Sequence, residues 1–122
     1  KILLSYNIAC LDPMRGKEGL DNLSKIPALT EQNDTDWLNS KNWLVHRDLA
    51  DIGRCDALLV ELTDPTHPYR GTLMEMVYAR QWNKPVIAWS SWVNDAPWIA
   101  YHITLACETL EDCCEAIREI LL

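Results

Sequence analysis

Three short apolar runs set the frame of this chain. Ile2-Leu3-Leu4, followed by Tyr6 and Ile8, opens it; Ala57-Leu58-Leu59-Val60 lies midway, entered from Asp56 and left through Thr63-Asp64-Pro65; Pro85-Val86-Ile87-Ala88-Trp89 comes third. None alternates strictly between apolar and polar residues, so each predicts a strand covered on both faces, the kind found in parallel sheets between helix layers. Between the second and third runs, residues 72–82 place Leu73, Val77 and Gln81 on one helical face with Met74 and Tyr78 beside it. That spacing predicts a helix and a right-handed β-α-β crossover. Residues 42–55 carry a similar stripe, Leu44, Asp48 and Ile52 with Val45 and Leu49 alongside, which turns the acid Asp48 inward. Residues 103–107 predict a last strand, and Leu110, Cys114, Ile117 and Leu121 an amphipathic closing helix. Residues 26–40, with Pro27 and the polar run Glu31-Gln32-Asn33-Asp34-Thr35-Asp36, predict a short strand or only a loop. There is no repeat, low-complexity segment or linker, so the expected architecture is a single α/β domain over residues 1–122, a doubly wound parallel sheet of four or five strands.

Composition narrows the partners. A chain of 122 residues with 48% hydrophobic residues is long enough for one core, and at that size roughly two-thirds of the unfolded surface is hidden on folding. No apolar run approaches the ~18 residues of a membrane span. The net charge of −7 argues against a nucleic acid polymer, whose affinity comes mostly from Lys and Arg. Small molecules and protein partners remain. The five cysteines contain no C-x-x-C pair and only three histidines accompany them, so no metal or cofactor is expected. Unpaired cysteines in odd number fit reduced thiols and a cytoplasmic setting. No signal peptide precedes Lys1, and the missing methionine fits a processed start.

In doubly wound sheets ligands bind at the carboxyl ends of the strands. Three loops fall there by chain order: residues 10–18, 63–71 and 90–97. The first reads Asp12-Pro13-Met14-Arg15-Gly16-Lys17-Glu18, in which Gly16 allows close backbone approach and Arg15 and Lys17 supply cations, the ingredients of a phosphate site or of a solvated turn. The second ends in Tyr69-Arg70-Gly71-Thr72-Leu73-Met74-Glu75. Thr72-x-x-Glu75 before an apolar run fits a capping box. The same geometry fits a carboxylate nucleophile kept ionised in the first helical turn. Asp48 is the second candidate: a lone acid on an apolar stripe is costly to bury unless it is hydrogen-bonded or functional, which suits it to proton transfer, while a cap for a short helix over residues 49–55 is the structural reading.

Taken together, Asp48-Leu49-x-x-Ile52-x-x-Cys55-Asp56-Ala57-Leu58-Leu59-Val60-Glu61-Leu62-Thr63, Gly71-Thr72-Leu73-Met74-Glu75-Met76-x-Tyr78-Ala79 and Lys84-Pro85-Val86-Ile87 resemble the nucleoside 2-deoxyribosyltransferase family. The resemblance implies a Rossmann-like (flavodoxin-like) domain that cleaves the N-glycosidic bond between a base and a (deoxy)ribose. By motif match Glu75 would be the nucleophile, Asp48 would hydrogen-bond the base or sugar and manage the leaving base's proton, and Tyr6 would orient the nucleophile. Arg15-Gly16 resembles the phosphate loop of related hydrolases of nucleoside 5′-monophosphates, and Arg70, Gly71 and Thr72 would line the same pocket, which favours a nucleotide substrate. Transfer to a second base and transfer to water remain open.

The resemblance also implies a dimer or larger oligomer, the usual state of family members, in which a neighbour's loop completes the pocket. Trp89, Trp92, Trp98 and Tyr101 are candidates for that contact, with Trp98 and His102 reaching a partner's site, or they pack the monomer's own core in place of the absent phenylalanines. His46 and His67 are read as surface or loop residues. The alternative function from another class is a non-catalytic, Rossmann-like nucleotide-binding sensor.

Overall fold

The computed structural model describes residues 8–11 and 34–122. Tyr6, Arg15, Gly16, most of the first apolar run and residues 26–33 lie outside the described residues. The chain divides into two compact units, residues 1–10 with 52–122, and residues 11–51.

Among the described residues the first unit holds a parallel sheet of three strands, β1 (Leu58–Glu61), β2 (Val86–Trp89) and β3 (Leu105–Cys107), in the order β1-β2-β3. Leu58 pairs with Val86 and Glu61 with Trp89, while Ile87 pairs with Leu105 and Trp89 with Cys107. Helix α2 (Arg70–Gln81) connects β1 to β2. A 3-10 turn (Val93–Asp95) and the five-residue α3 (Pro97–Tyr101) lead to β3, and α4 (Leu110–Leu121) closes the chain. The numbering of α2 to α4 follows α1 (Asp34–Arg54), whose last residues enter this unit.

The central strand explains why its apolar run is unbroken. Val86, Ile87 and Ala88 are all buried. Ile87 packs with Cys113, Ala116 and Ile117 of α4, and Ile8, Leu59, Trp89 and Cys107 gather against that cluster. Alternation turns Val60, Val86 and Ala88 to the opposite face, where α2 packs on β1 and β2 through Met76 and Ala79. Each face of β2 therefore has its own helix. Truncating Ile87 to alanine is expected to cost on the order of 2–5 kcal/mol.

The helix ends follow side-chain and backbone capping rules in two places. Thr109 Oγ1 accepts from the N–H of Asp112 at 3.1 Å and caps α4, with Glu111 and Asp112 in the first turn. After α2, Asn83 takes a left-handed φ of 57°, and its N–H bonds the Arg80 carbonyl while that of Lys84 bonds Ala79. This pair of bonds is a Schellman ending with asparagine where glycine is usual. Lys84 Nζ then reaches the Gly53 carbonyl, 3.2 Å away in the last turn of α1.

In the second unit α1 begins at Asp34, inside the polar run expected to be a strand or a loop, so residues 34–40 are helical. Its continuation to Arg54 also overturns a cap at Asp48: that residue lies in the helix interior. Among the described residues no helix is long and apolar enough to cross a membrane.

Candidate active site

The carboxyl end of β1 runs into a network of polar side chains. β1 ends on Glu61, whose Oε2 accepts from the Thr63 N–H at 2.6 Å, the Thr63 hydroxyl at 2.7 Å and the Tyr69 phenol at 2.9 Å. The two bonds from Thr63 hold the Glu61 carboxyl below its ordinary pKa. The Tyr69 oxygen in turn accepts from the Asp64 N–H at 2.9 Å. Asp64 takes the hydroxyl of Thr66 at 2.7 Å and its N–H at 2.9 Å, which lowers its pKa as well.

Tyr69 is the N-cap of α2. Its backbone is left-handed, φ 49° and ψ 36°, and it makes no side-chain cap. For a residue with a Cβ that conformation costs about 1 kcal/mol or more. Its N–H donates to His67 Nδ1 at 3.1 Å, its carbonyl accepts from Leu73 at 2.9 Å, and its ring sits 4.4 Å from that of His67.

This start corrects the capping-box expectation. Because α2 begins at Arg70, Thr72 is the third helical residue and Glu75 lies in the second turn, with no acid in the first. A carboxylate there is a full turn from the unpaired amides, so the dipole argument weakens and position must do more. Glu75 is half-buried, and a Cβ at Gly71 would stand 4.0 Å from its Oε1, an ordinary van der Waals distance. Gly71 thus lies beside one carboxylate oxygen with no side chain of its own. Arg70 is exposed and Thr72 half-buried on the same turn.

Four candidate residues, Arg70, Gly71, Thr72 and Glu75, therefore come together on one helical start. Asp48 belongs to the other unit, with 17% of its side chain exposed and Arg47 Nη2 at 3.8 Å from its Oδ1, so it is not a lone acid. One turn on, Asp51 is buried to 7% exposure. Trp98 and His102 fall elsewhere: with Leu73, Met76, Val77 and Ile99 they line an apolar groove of about 170 Å³. Leu73 and Val77 stand two residues from Glu75, about 160° around the helix, so that groove opens away from the carboxylate. His102 Nδ1 is 2.7 Å from the Trp98 carbonyl and donates to it.

The aromatic segment divides. Trp89 packs in the chain's own core and its Nε1 donates to the Glu108 carbonyl at 3.1 Å, whereas Trp98 is 85% exposed and Tyr101 64%. Arg80 lies over the Tyr101 ring at 4.6 Å. Glu61 and Tyr69 are the residues the sequence reading passed over; the one signal available was an acid closing an apolar strand run beside a Thr-Asp turn.

Among the described residues no group of three or more His, Cys, Asp or Glu side chains could hold a metal ion. A family model described as nucleoside 2-deoxyribosyltransferase matches residues 2–113. No curated protein and no solved structure matches the chain. The match spans nearly the whole sequence and takes in the Gly71 to Glu75 helix start: the chain belongs to the nucleoside 2-deoxyribosyltransferase family.

Proposed function

We propose that this chain breaks the N-glycosidic bond of a (deoxy)nucleoside or its 5′-monophosphate through a covalent glycosyl ester on Glu75, with the monophosphate favoured. The observation that carries this reading is the half-buried Glu75 carboxylate, one helical turn after Gly71 in the Gly71 to Glu75 helix start, in a chain of this family.

In the first half-reaction a Glu75 oxygen attacks the anomeric carbon. The C–O bond forms as the C–N bond breaks, the bonding pair leaves on the base nitrogen, and Asp48 supplies the proton there. The transition state is oxocarbenium-like, so an anion on one side and a proton donor on the other both lower its energy. In the second half a nitrogen of another base, or water, attacks the same carbon, gives its proton back to the Asp48 carboxylate, and releases the Glu75 carboxylate. Tyr6 orients Glu75. Arg15 and Gly16, with Arg70, Gly71 and Thr72, hold the 5′-phosphate through cationic side chains and backbone N–H groups at the α2 start.

We read residues 1–122 as one Rossmann-like domain. The protein works in the cytoplasm as a homodimer or larger homo-oligomer, each copy lending Trp98 and His102 to its neighbour's pocket; their position away from the same chain's Glu75 supports this.

The test is chromatography of deoxynucleosides and their monophosphates after incubation with the protein. Glu75→Gln and Glu75→Ala are expected to abolish base release while thermal melting is kept, and full activity in both would overturn the assignment. Binding by the wild type without any free base would make it a nucleotide sensor. Adding a second base separates transfer, which yields a new nucleoside, from hydrolysis. Arg15→Ala is expected to weaken a monophosphate far more than a nucleoside, and equal effects would remove the phosphate role.

A further inference from the structure

The connection from β1 to α2 is closed by one side-chain contact across eight residues, the Tyr69 phenol on Glu61. Two residues after Tyr69 comes Gly71, one helical turn before Glu75, where a Cβ would stand 4.0 Å from the carboxylate Oε1. We propose that Glu61 and Tyr69 are positioning residues: the Glu61 carboxylate pins the Tyr69 phenol, and the pinned tyrosine sets where Arg70 and Gly71 stand relative to Glu75. This rests on the reading of Glu75 as nucleophile.

The backbone conformation of Tyr69 is the reason a pin is needed. A bulky residue at φ 49° sits in a region that L residues adopt sparingly, and it persists where surrounding contacts over-determine it. Those contacts converge on this residue from four sides: the phenol donates to Glu61 and accepts from the Asp64 N–H, the N–H goes to His67, the ring lies against His67, and the carbonyl takes the Leu73 N–H of the first α2 turn. The phenol anchors the left-handed residue to the end of β1, a strand paired to the buried β2. Releasing it lets φ and ψ of Tyr69 relax, which re-aims Arg70 and Gly71 without touching the packing of Met76 and Ala79 farther along α2. Small misplacements of this kind cost rate more than affinity when the substrate is held by other groups.

Three variants of the full chain test the assignment, read by steady-state kinetics on a deoxynucleoside and by amide hydrogen exchange. A nucleoside is used because it has no phosphate for Arg70 to hold. Tyr69→Phe removes only the hydroxyl and is expected to lower kcat about tenfold with KM within about twofold. The same change is expected to speed exchange of the Asp64 and Leu73 amides by about tenfold. Glu61→Gln, which keeps an acceptor of the same reach, is expected to retain more kcat than Glu61→Ala. Thr66→Ala is the control: it removes the 2.7 Å bond to Asp64 in the same loop without touching Tyr69, and kcat should stay at the wild-type value.

Unchanged exchange at both amides in Tyr69→Phe overturns the proposal whatever the kinetics, as does faster exchange with wild-type kcat. An equal loss of kcat in Thr66→Ala also overturns it, since general loosening of the loop would then suffice. A wild type that releases no base defeats the reading of Glu75, and the exchange rates by themselves still decide whether Glu61 and Tyr69 set the α2 start.

Discussion

Gly71 stands one helical turn before Glu75, and a Cβ there would lie 4.0 Å from the carboxylate Oε1. The two effects of filling that position have opposite signs. Gly71 sits within α2, so alanine in its place is expected to raise stability by about 0.5–1 kcal/mol. The same methyl intrudes where the sugar must approach, so base release is expected to fall, and to fall further in Gly71→Val. Melting curves and product chromatography on the same samples check both signs. Wild-type turnover in Gly71→Val would show that the substrate does not approach from this side.

Trp98 is 85% exposed and faces a groove on the side of α2 away from Glu75. With Tyr101, 64% exposed in the same short helix, it presents the kind of aromatic surface that the proposed subunit contact would cover. Sedimentation should therefore find a dimer or larger species that Trp98→Ala shifts toward monomer. A wild type that stays monomeric at every concentration would remove the shared-pocket reading.

Cys113 is buried beneath β2, its thiol 3.6 Å from the Ala88 carbonyl, and burial together with the neighbouring Cys107 and Cys114 pushes its pKa up to about 12. A thiol reagent at pH 8 should modify the exposed Cys10 quickly and Cys113 only on unfolding. The linkage also has a sign. Above an ordinary value near 9.0 the unfolded thiol ionises while the folded one keeps its proton, so stability should fall as pH rises from there toward 12. Cys113→Ala should flatten that fall, and rapid labelling of Cys113 in the native protein would contradict its burial.

Asn83 holds the left-handed position after α2. Glycine takes that conformation without a Cβ penalty, so Asn83→Gly should melt slightly higher and Asn83→Val markedly lower, by about 1 kcal/mol or more. Equal melting of the two would mean that the Schellman ending contributes nothing.

How much of this was legible in the chain depended on whether a feature rests on neighbours in sequence. The runs around Leu58 and Val86 read as strands because both faces of the sheet are covered, and α4 read as a helix because Cys113, Cys114 and Ile117 bury one side of it. The start of α2 did not. Thr72 has the composition of a cap, but the N-cap lies three residues earlier at Tyr69, whose conformation is held by Glu61 from another element. The start of α1 was hidden in a polar run with no apolar period. Glu75 stood out through its motif, whereas Glu61 did not, since its bond to Tyr69 closes a loop of eight residues.

The most direct test of the central claim is to trap the intermediate. Wild-type protein mixed with a deoxynucleoside 5′-monophosphate and no acceptor base, quenched in acid and digested, should yield one peptide carrying the sugar phosphate, with the ester on Glu75. Glu75→Gln should yield none. Base release with the adduct on another residue, or with no adduct at any quench time, would contradict the account.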